Sequence, residues 1–219
     1  IELPKGQAVR RISPFALQME VPLGDSARDL ELMRRFQAGD VDAFTQLYEL
    51  HLRGLLNFFF RLCWDASLAE DFAQEVLLRV FKSAKQWEPN AKFTTFLYRV
   101  ARNFWIDHCR LLSTQKEKVS LNAPGDKDDL SLMDRLPDDI RPPEDDLDRR
   151  ELYGAIMKAL DQLPEEQRMV FVLSEIEEMK YHEIAEVMDI PVGTVKSRMH
   201  TAVAKLQELL GDYKPLNTR

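Results

Sequence analysis

The sequence predicts an all-α protein with two small helical domains joined by an acidic flexible linker, the C-terminal domain being a helix-turn-helix. Apolar residues recur at helical spacing over most of the chain, and turn-forming residues divide that pattern into short helices. One acidic segment that contains several prolines interrupts it. The predicted organisation is a flexible N-terminal extension over 1–27, a first domain over 28–113, the linker over 114–148 and a second domain over 149–213.

The net charge of the chain is unevenly distributed. The 219 residues carry a formal net charge of −7, and residues 114–148 hold eleven Asp or Glu against five Lys or Arg, a net of −6. The helical segments are therefore close to neutral, and we expect the isolated protein to bind DNA weakly and to depend on a larger partner. Because no apolar run is long enough to span a bilayer, we predict a cytoplasmic protein without direct membrane insertion.

Cysteine and histidine usage predicts neither a cofactor nor a metal site. Cys63 and Cys109 form no Cys-x-x-Cys pair, and we interpret both as buried thiols. The four histidines lack metal-ligand spacing. An enzyme that uses His108 or His182 is the weakest alternative, because no nucleophile, base and orienting group occur in a recognisable arrangement.

The first domain is predicted to contain four helices, because its periodic pattern breaks at Gly39-Asp40, Trp64-Asp65 and Glu88-Pro89-Asn90. The second helix contains the run Phe58-Phe59-Phe60. Three successive rings point in different directions around a helix. We therefore expect one edge of this aromatic run to be exposed and to meet another surface.

The second domain is predicted to contain about four short helices, one of them starting at Pro164-Glu165-Glu166. Residues 181–198 read YHEIAEVMDIPVGTVKSR, which predicts a helix, a tight turn and a second helix that begins after Pro191. An αα-hairpin that only packs a bundle would share this pattern. The second helix places one stripe in the core and leaves five residues outside it as candidate readers of a DNA groove: Thr194, Lys196, Ser197, Arg198 and His200.

Four segments in this order resemble the sigma factors of RNA polymerase, specifically the compact extracytoplasmic-function (ECF) branch. The resemblance extends from about residue 29 to residue 210, and an ordered set of motifs is more specific than any single one. The matching segments are Gly39-Asp40 with Ala43-Phe44 and Leu47-Tyr48, then Asp71-Phe72-Ala73-Gln74-Glu75-Val76, then Phe93 to Asn103, and finally the helix-turn-helix.

The resemblance implies two partners, core RNA polymerase and promoter DNA. Polymerase contacts would include the β′ coiled coil and the β subunit, with Asp71, Gln74 and Glu75 gripping the coiled coil. These three side chains share one helical face as two carboxylates around an amide, which suits a cationic partner helix. The acidic linker would run through the polymerase, although a merely solvated loop is the alternative interpretation of its charge.

The resemblance also implies that the segment around residues 93–103 melts and reads the promoter −10 element. Its apolar residues form a core stripe, so the functional prediction is confined to Asn103, which can hydrogen-bond to an extruded base, and to cations that can meet phosphate: Lys92, Arg99, Arg102 and Arg110. The five groove readers of the helix-turn-helix would contact the −35 element, with Arg198 or Lys196 donating to guanine.

Two positions depart from the family's pattern. Phe96 stands where the family commonly has Trp, and Glu177-Glu178-Met179-Lys180 stands where it more often has a Gly and a Ser or Thr before Tyr181. The usual side-chain cap of the first helix of the motif is therefore absent, and we expect this turn to be held differently.

The sequence thus predicts an alternative sigma factor that makes and breaks no bond. By resemblance, an anti-sigma factor is a further expected partner; it would cover the polymerase-binding faces and could hold the protein at the membrane, whereas polymerase would bring it to the nucleoid. The main rival is an autonomous helix-turn-helix regulator similar to the output domains of response regulators. Such a protein would carry a receiver domain of alternating strands and helices, a pattern that the first domain lacks.

Overall fold

The computed structural model describes the backbone of residues 26–118 and 147–211 and the side chains of residues 26–112 and 152–211. Regular structure within these ranges is entirely helical, which confirms the predicted all-α class. The predicted extension and linker fall almost wholly outside the described residues. The helices are α1 (Ser26–Gln37), α2 (Val41–Cys63), α3 (Ala66–Ser83, followed by a 3-10 turn over Ala84–Gln86), α4 (Phe93–Lys118), α5 (Leu147–Asp161), α6 (Glu165–Glu175), α7 (Tyr181–Met188) and α8 (Val192–Leu210).

The first domain consists of α1 to α4, and its helix boundaries have visible causes. The Asp40 carboxylate accepts a hydrogen bond from the Ala43 N–H at 3.3 Å and caps the start of α2. Trp64 ends α2 in the left-handed conformation with φ 57°. The Asp65 carboxylate then caps α3 by accepting from the Leu68 N–H at 3.0 Å. These caps account for two of the three breaks that the sequence predicts.

The aromatic run in α2 corrects one prediction. Phe58, Phe59 and Phe60 are all fully buried, so the exposed edge expected for this run does not exist. The Phe59 ring packs edge-on against Phe72, with ring centroids 5.6 Å apart. Since α2 packs against α1 and α3 and also against α6 of the second domain, it is covered on several sides. A helix covered in this way can bury three successive rings.

The second domain consists of α5 to α8 and contains the helix-turn-helix. Asp189 ends α7 in the left-handed conformation with φ 52°, where the sequence predicts the reversal of the chain. Of the stripe predicted for α8, Val195, Met199, Ala202 and Leu206 are buried and Leu209 is half-buried. Helix α7 is held differently from the usual side-chain cap, as expected, since the Glu183 carboxylate accepts a hydrogen bond from the Lys180 N–H at 2.9 Å.

Candidate nucleic-acid and partner-binding surfaces

The outer face of α3 presents the three residues that are predicted to bind polymerase. Asp71 and Gln74 are exposed and Glu75 is half-exposed, on the side of the helix opposite buried Phe72 and Val76. The Glu75 carboxylate accepts a hydrogen bond from the Arg79 guanidinium at 2.8 Å. The structure thus brings the three predicted side chains together on one solvent-facing surface.

An apolar residue that the sequence reasoning missed lies within this α3 face. Leu78 is 45% exposed and follows Gln74 by four residues and Glu75 by three, which places it beside both. A large exposed apolar side chain among carboxylates and an amide makes the face amphipathic. The sequence signal for Leu78 is its spacing: an apolar residue three and four positions after the polar residues Glu75 and Gln74 lies on the same face of a helix.

Helix α4 carries an outward face that holds three of the five residues predicted to contact the −10 element. Arg99, Asn103 and Arg110 are exposed, and their spacings of four and seven residues put them on one side of the helix. We call these three residues the outward α4 face. Arg102 is half-buried at its edge and donates a hydrogen bond from Nη1 to the Asn103 Oδ1 at 3.1 Å.

The fifth predicted residue, Lys92, is not part of the outward α4 face. It precedes α4, and its Nζ lies 2.7 Å from the Glu183 Oε1 of α7 in the second domain. Burial acts to raise the pKa of Glu183, but the hydrogen bonds from Lys92 and the Lys180 N–H outweigh it and lower the pKa. Glu183 therefore serves as the cap of α7 and as an acceptor for a cation of the first domain.

The second helix of the helix-turn-helix exposes most of its predicted groove readers. Lys196, Ser197 and His200 are exposed, whereas Thr194 and Arg198 are half-buried. The Arg198 guanidinium donates to the carboxylate of Glu166 at the start of α6, so this predicted reader is tied to its own domain. Thr201, an exposed neighbour of His200, shares the surface and was not predicted; its hydroxyl donates to the Ser197 carbonyl at 3.0 Å.

Polar contacts between the described parts of the two domains include three pairs of side chains. The Tyr98 hydroxyl of α4 donates a hydrogen bond to Glu177 Oε2 in the turn between α6 and α7. The Trp105 indole donates to Glu165 Oε1 at 2.7 Å, and the third contact is the Lys92–Glu183 pair. Glu177 lies in the segment 177–180 that departs from the family's pattern, so this segment contacts the other domain.

The burial of the two cysteines differs from the prediction. Both thiols are half-buried rather than buried, and burial raises the pKa of Cys63 and of Cys109 to about 11, so both stay protonated near neutral pH. The described residues contain no group of three or more side chains placed to hold a metal ion. Among them, no helix is both long enough and apolar enough to cross a bilayer.

Two helical domains, one presenting a helix-turn-helix with exposed polar and cationic residues and the other a cationic helix face, define a DNA-binding protein with a composite surface. Residues 47–114 match the family model for Sigma-70 region 2, and residues 153–206 match that for Sigma-70, region 4. The chain is 33% identical to the ECF RNA polymerase sigma factor SigW of Bacillus subtilis, over 82% of this chain and 95% of the relative. It is 31% identical to the RNA polymerase sigma-H factor of Pseudomonas aeruginosa, over 84% and 94%.

Solved structures agree with the fold. CnrH in complex with the cytosolic domain of CnrY gives a TM-score of 0.62 at 22% identity, over 85% of this chain and 99% of that one. The sigma factor RpoE of Bartonella quintana, in complex with the anti-sigma factor NepR, gives a TM-score of 0.59 at 23% identity, over 78% and 98%.

The chain belongs to the ECF family of RNA polymerase sigma factors. It binds core RNA polymerase, recognises promoter −35 and −10 elements and promotes DNA opening for transcription initiation. The rival interpretation as a response regulator is wrong, since the described part of the first domain contains only helices where a receiver would have strands.

Proposed function

We propose that the outward α4 face contacts the −10 element, that the exposed residues of α8 contact the −35 element, and that the outer face of α3 binds the β′ coiled coil of polymerase. The domain division that goes with this assignment is 28–113 and 149–213. The observation that carries the proposal is the outward α4 face itself: two arginines flank one carboxamide on a single exposed side of a helix. Cations suit phosphate, and the carboxamide suits the edge of an unpaired base.

The −10 assignment is tested by in vitro transcription with core polymerase and by probing unpaired thymines in the promoter. Asn103→Ala removes the carboxamide but no charge, so promoter binding should persist while strand opening falls about tenfold, the effect of one lost base contact of ~1.4 kcal/mol. Arg34→Ala, at an exposed position of α1, is the control for loss of a surface polar group. Equal opening by Asn103→Ala and the unmodified protein would contradict the assignment.

The −35 assignment depends on how α8 uses Lys196 and Arg198, the two predicted readers that carry a full positive charge. Lys196 is exposed, whereas Arg198 contacts Glu166 and would have to leave this partner to reach a base. We therefore assign the contact with guanine to Lys196 rather than to Arg198. Lys196→Ala should relax base preference at one −35 position by roughly 1–3 kcal/mol. Lys158→Ala, at an exposed position of α5, is the matched control. Unchanged preference across a library of −35 sequences would count against α8 as the reader.

The polymerase assignment rests on the charged and apolar character of the α3 face. Asp71→Ala and Leu78→Ala should each weaken binding to core polymerase, and Glu31→Ala, an exposed carboxylate on α1, should not. A gel-shift with and without polymerase checks the accompanying prediction that the free chain holds promoter DNA weakly.

The remaining predictions of the sequence are part of the same proposal. An anti-sigma factor is a proposed partner, supported by the similar solved structure of RpoE in complex with the anti-sigma factor NepR. Because Phe58 to Phe60 are buried, such a partner must use another surface, and the α3 face is the candidate. The proposed location is the cytoplasm, and the proposed role involves no chemistry on a substrate. Copurification at native protein levels tests the partner.

A further inference from the structure

A glutamate is buried between the two domains. Glu177 is 4% exposed and lies in the turn after α6, where its backbone N–H donates to the Val172 carbonyl at 3.1 Å. Its carboxyl group accepts the hydroxyl of Tyr98 from α4. Gly54 of α2 lies against this hydrogen bond, and an added Cβ there would stand 2.8 Å from the Tyr98 hydroxyl and 3.1 Å from Glu177 Oε2. A β-carbon at this position would therefore press on the Tyr98 hydroxyl and the Glu177 carboxyl group.

An arginine completes the charge balance around this glutamate. Arg61 of α2 is fully buried, and Glu177, Tyr98 and Tyr153 of α5 are the groups that act on its charge. Burial raises the pKa of Glu177 to about 7, against the lowering effects of the Tyr98 hydrogen bond and of Arg61. We call Gly54, Arg61, Tyr98, Tyr153 and Glu177 the Glu177 cluster.

Two side chains at or near the Glu177 cluster are buried without full hydrogen bonding. Within the described part of the chain, Glu177 Oε1 has no hydrogen-bond partner, nor does either polar side-chain atom of Asn57, one turn before Arg61. Buried polar groups in a permanent core are nearly always paired. Unpaired ones gain hydrogen bonds to water when the surface opens, so they favour a contact that forms and breaks over a fixed core.

The geometry of the promoter sets a second condition. Elements named −35 and −10 lie about 25 base pairs apart, or about 85 Å along B-form DNA at ~3.4 Å per step. In this structure α4 packs directly against α7, and Lys92 of the predicted −10 surface is paired with Glu183. We call this arrangement the closed form. Domains in direct contact cannot occupy two elements so far apart.

We propose that the Glu177 cluster holds the chain in an autoinhibited closed form, and that separation of the domains at this cluster must precede their use on one promoter. The inference rests on the proposed function only in that the promoter makes separation necessary. Glu177 is thus a regulatory residue in the segment between α6 and α7.

Small-angle X-ray scattering on the full chain at pH 6 tests the contact without polymerase or DNA. Glu177→Ala and Tyr98→Phe should increase the radius of gyration, whereas Glu177→Gln, which keeps an acceptor for Tyr98, should stay compact. Glu178→Gln is the matched control, since Glu178 is the exposed neighbour of Glu177. If the Ala and Phe variants stay as compact as the unmodified protein with the same helical content, the proposal is wrong.

A second variant guards against a loss of folding. Gly54→Ala removes no polar group and only presses a methyl group against Tyr98 and Glu177. Should Glu177→Ala lose helical circular dichroism, the radius of gyration of Gly54→Ala decides the question instead: expansion supports the Glu177 cluster, and compactness overturns it.

Binding to core polymerase then tests autoinhibition. An open variant skips the cost of separating its domains, so Glu177→Ala should bind about three- to tenfold more tightly, the effect of one net hydrogen bond on the open fraction. Expansion without any gain in polymerase affinity would show that the contact exists but does not inhibit. Failure of the unmodified protein to support transcription would instead strike the proposed function and leave the scattering result intact.

Discussion

Helix α4 has two polar sides that differ in exposure and in hydrogen bonding. The outward α4 face holds Arg99, Asn103 and Arg110, all exposed. The inward side holds Tyr98 and Trp105, both buried, and each donates one hydrogen bond to a glutamate of the second domain. Since adjacent residues on a helix point about 100° apart, a single step from Tyr98 to Arg99 changes the partner from protein to solvent.

The difference shows how one helix can contact the second domain in the closed form and DNA in the open form. The outward face is exposed and carries two arginines beside a carboxamide, which suits a polyanion. Groups on the inward face are already satisfied by the protein and desolvated, so they stabilise the closed form instead. Changes on the inward side should therefore alter the distance between domains, and changes on the outward face should alter promoter function alone.

The largest expected effect on the inward side comes from pH. The pKa of Glu177 is about 7 in the closed form and has an ordinary value of 4.5 when hydrated. Between these values the closed form binds more protons than the open form, so raising the pH weakens closure; the dependence ends above about pH 7. The full change amounts to at most about 3 kcal/mol, at ~1.36 kcal/mol per unit.

Scattering from pH 5 to pH 8 measures this prediction, with Glu177→Gln as the control that should not respond. The other groups at the cluster do not titrate in this window: burial raises the pKa of Tyr98 further above its ordinary value, and the Arg61 guanidinium stays charged. Glu183 has a lowered pKa and weakens its pair only as the pH falls below its ordinary 4.5, the opposite sign and a lower window. A radius of gyration that is constant, or that falls as the pH rises, contradicts the prediction.

A smaller effect is expected from Trp105. Trp105→Phe keeps a buried ring but removes the donor to Glu165, an exposed residue whose carboxylate water can solvate. The closed form should lose about 0.5–1.5 kcal/mol, the net value of a typical hydrogen bond. Amide hydrogen exchange across α4 and α6 measures it, and Glu165→Gln, which keeps an acceptor, should exchange like the unmodified protein. Equal exchange rates for Trp105→Phe and Glu165→Gln would show that the Trp105 hydrogen bond does not stabilise the closed form.

The sequence predicted the helices well because their causes are local. The cap at Asp40, the reversal at Asp189 and the buried stripe of α8 all follow from neighbours within a few residues. The outward face of α4 was also within reach, since its members are spaced on one helix. These parts depend on periodicity and capping, which a single sequence displays.

The remainder depends on contacts between distant residues. One edge of the run Phe58 to Phe60 was expected at a surface, because no nearby residue indicates that α6 covers α2. Glu177 was noticed only as a member of a segment that departs from a family pattern, and its partner Tyr98 lies 79 residues away. The periodic pattern places Lys92 just before the start of a helix, but it does not indicate that Lys92 forms an ion pair with Glu183 of α7. Pairings between domains are set by packing, which local spacing does not encode.

Lys92 is expected to give the smallest effect on closure, and it is also the residue that joins the two sides of the comparison. Its side chain is 45% exposed, and Glu183 keeps the Lys180 N–H when the lysine is lost, so Lys92→Ala should weaken the closed form by less than about 1 kcal/mol. If Lys92 also contacts phosphate in the open form, Lys92→Ala makes promoter binding by the holoenzyme less dependent on salt. The slope of the logarithm of the binding constant against the logarithm of salt concentration should fall in magnitude by about 1.

Glu183→Gln separates the two roles of Lys92, because it weakens the ion pair but leaves the lysine free for DNA. We expect both variants to loosen the domains slightly, and only Lys92→Ala to change the slope, with Lys85→Ala as the control cation. Equal slopes for all three variants would confine Lys92 to its contact with Glu183 and leave the outward α4 face as the sole −10 surface of the described residues.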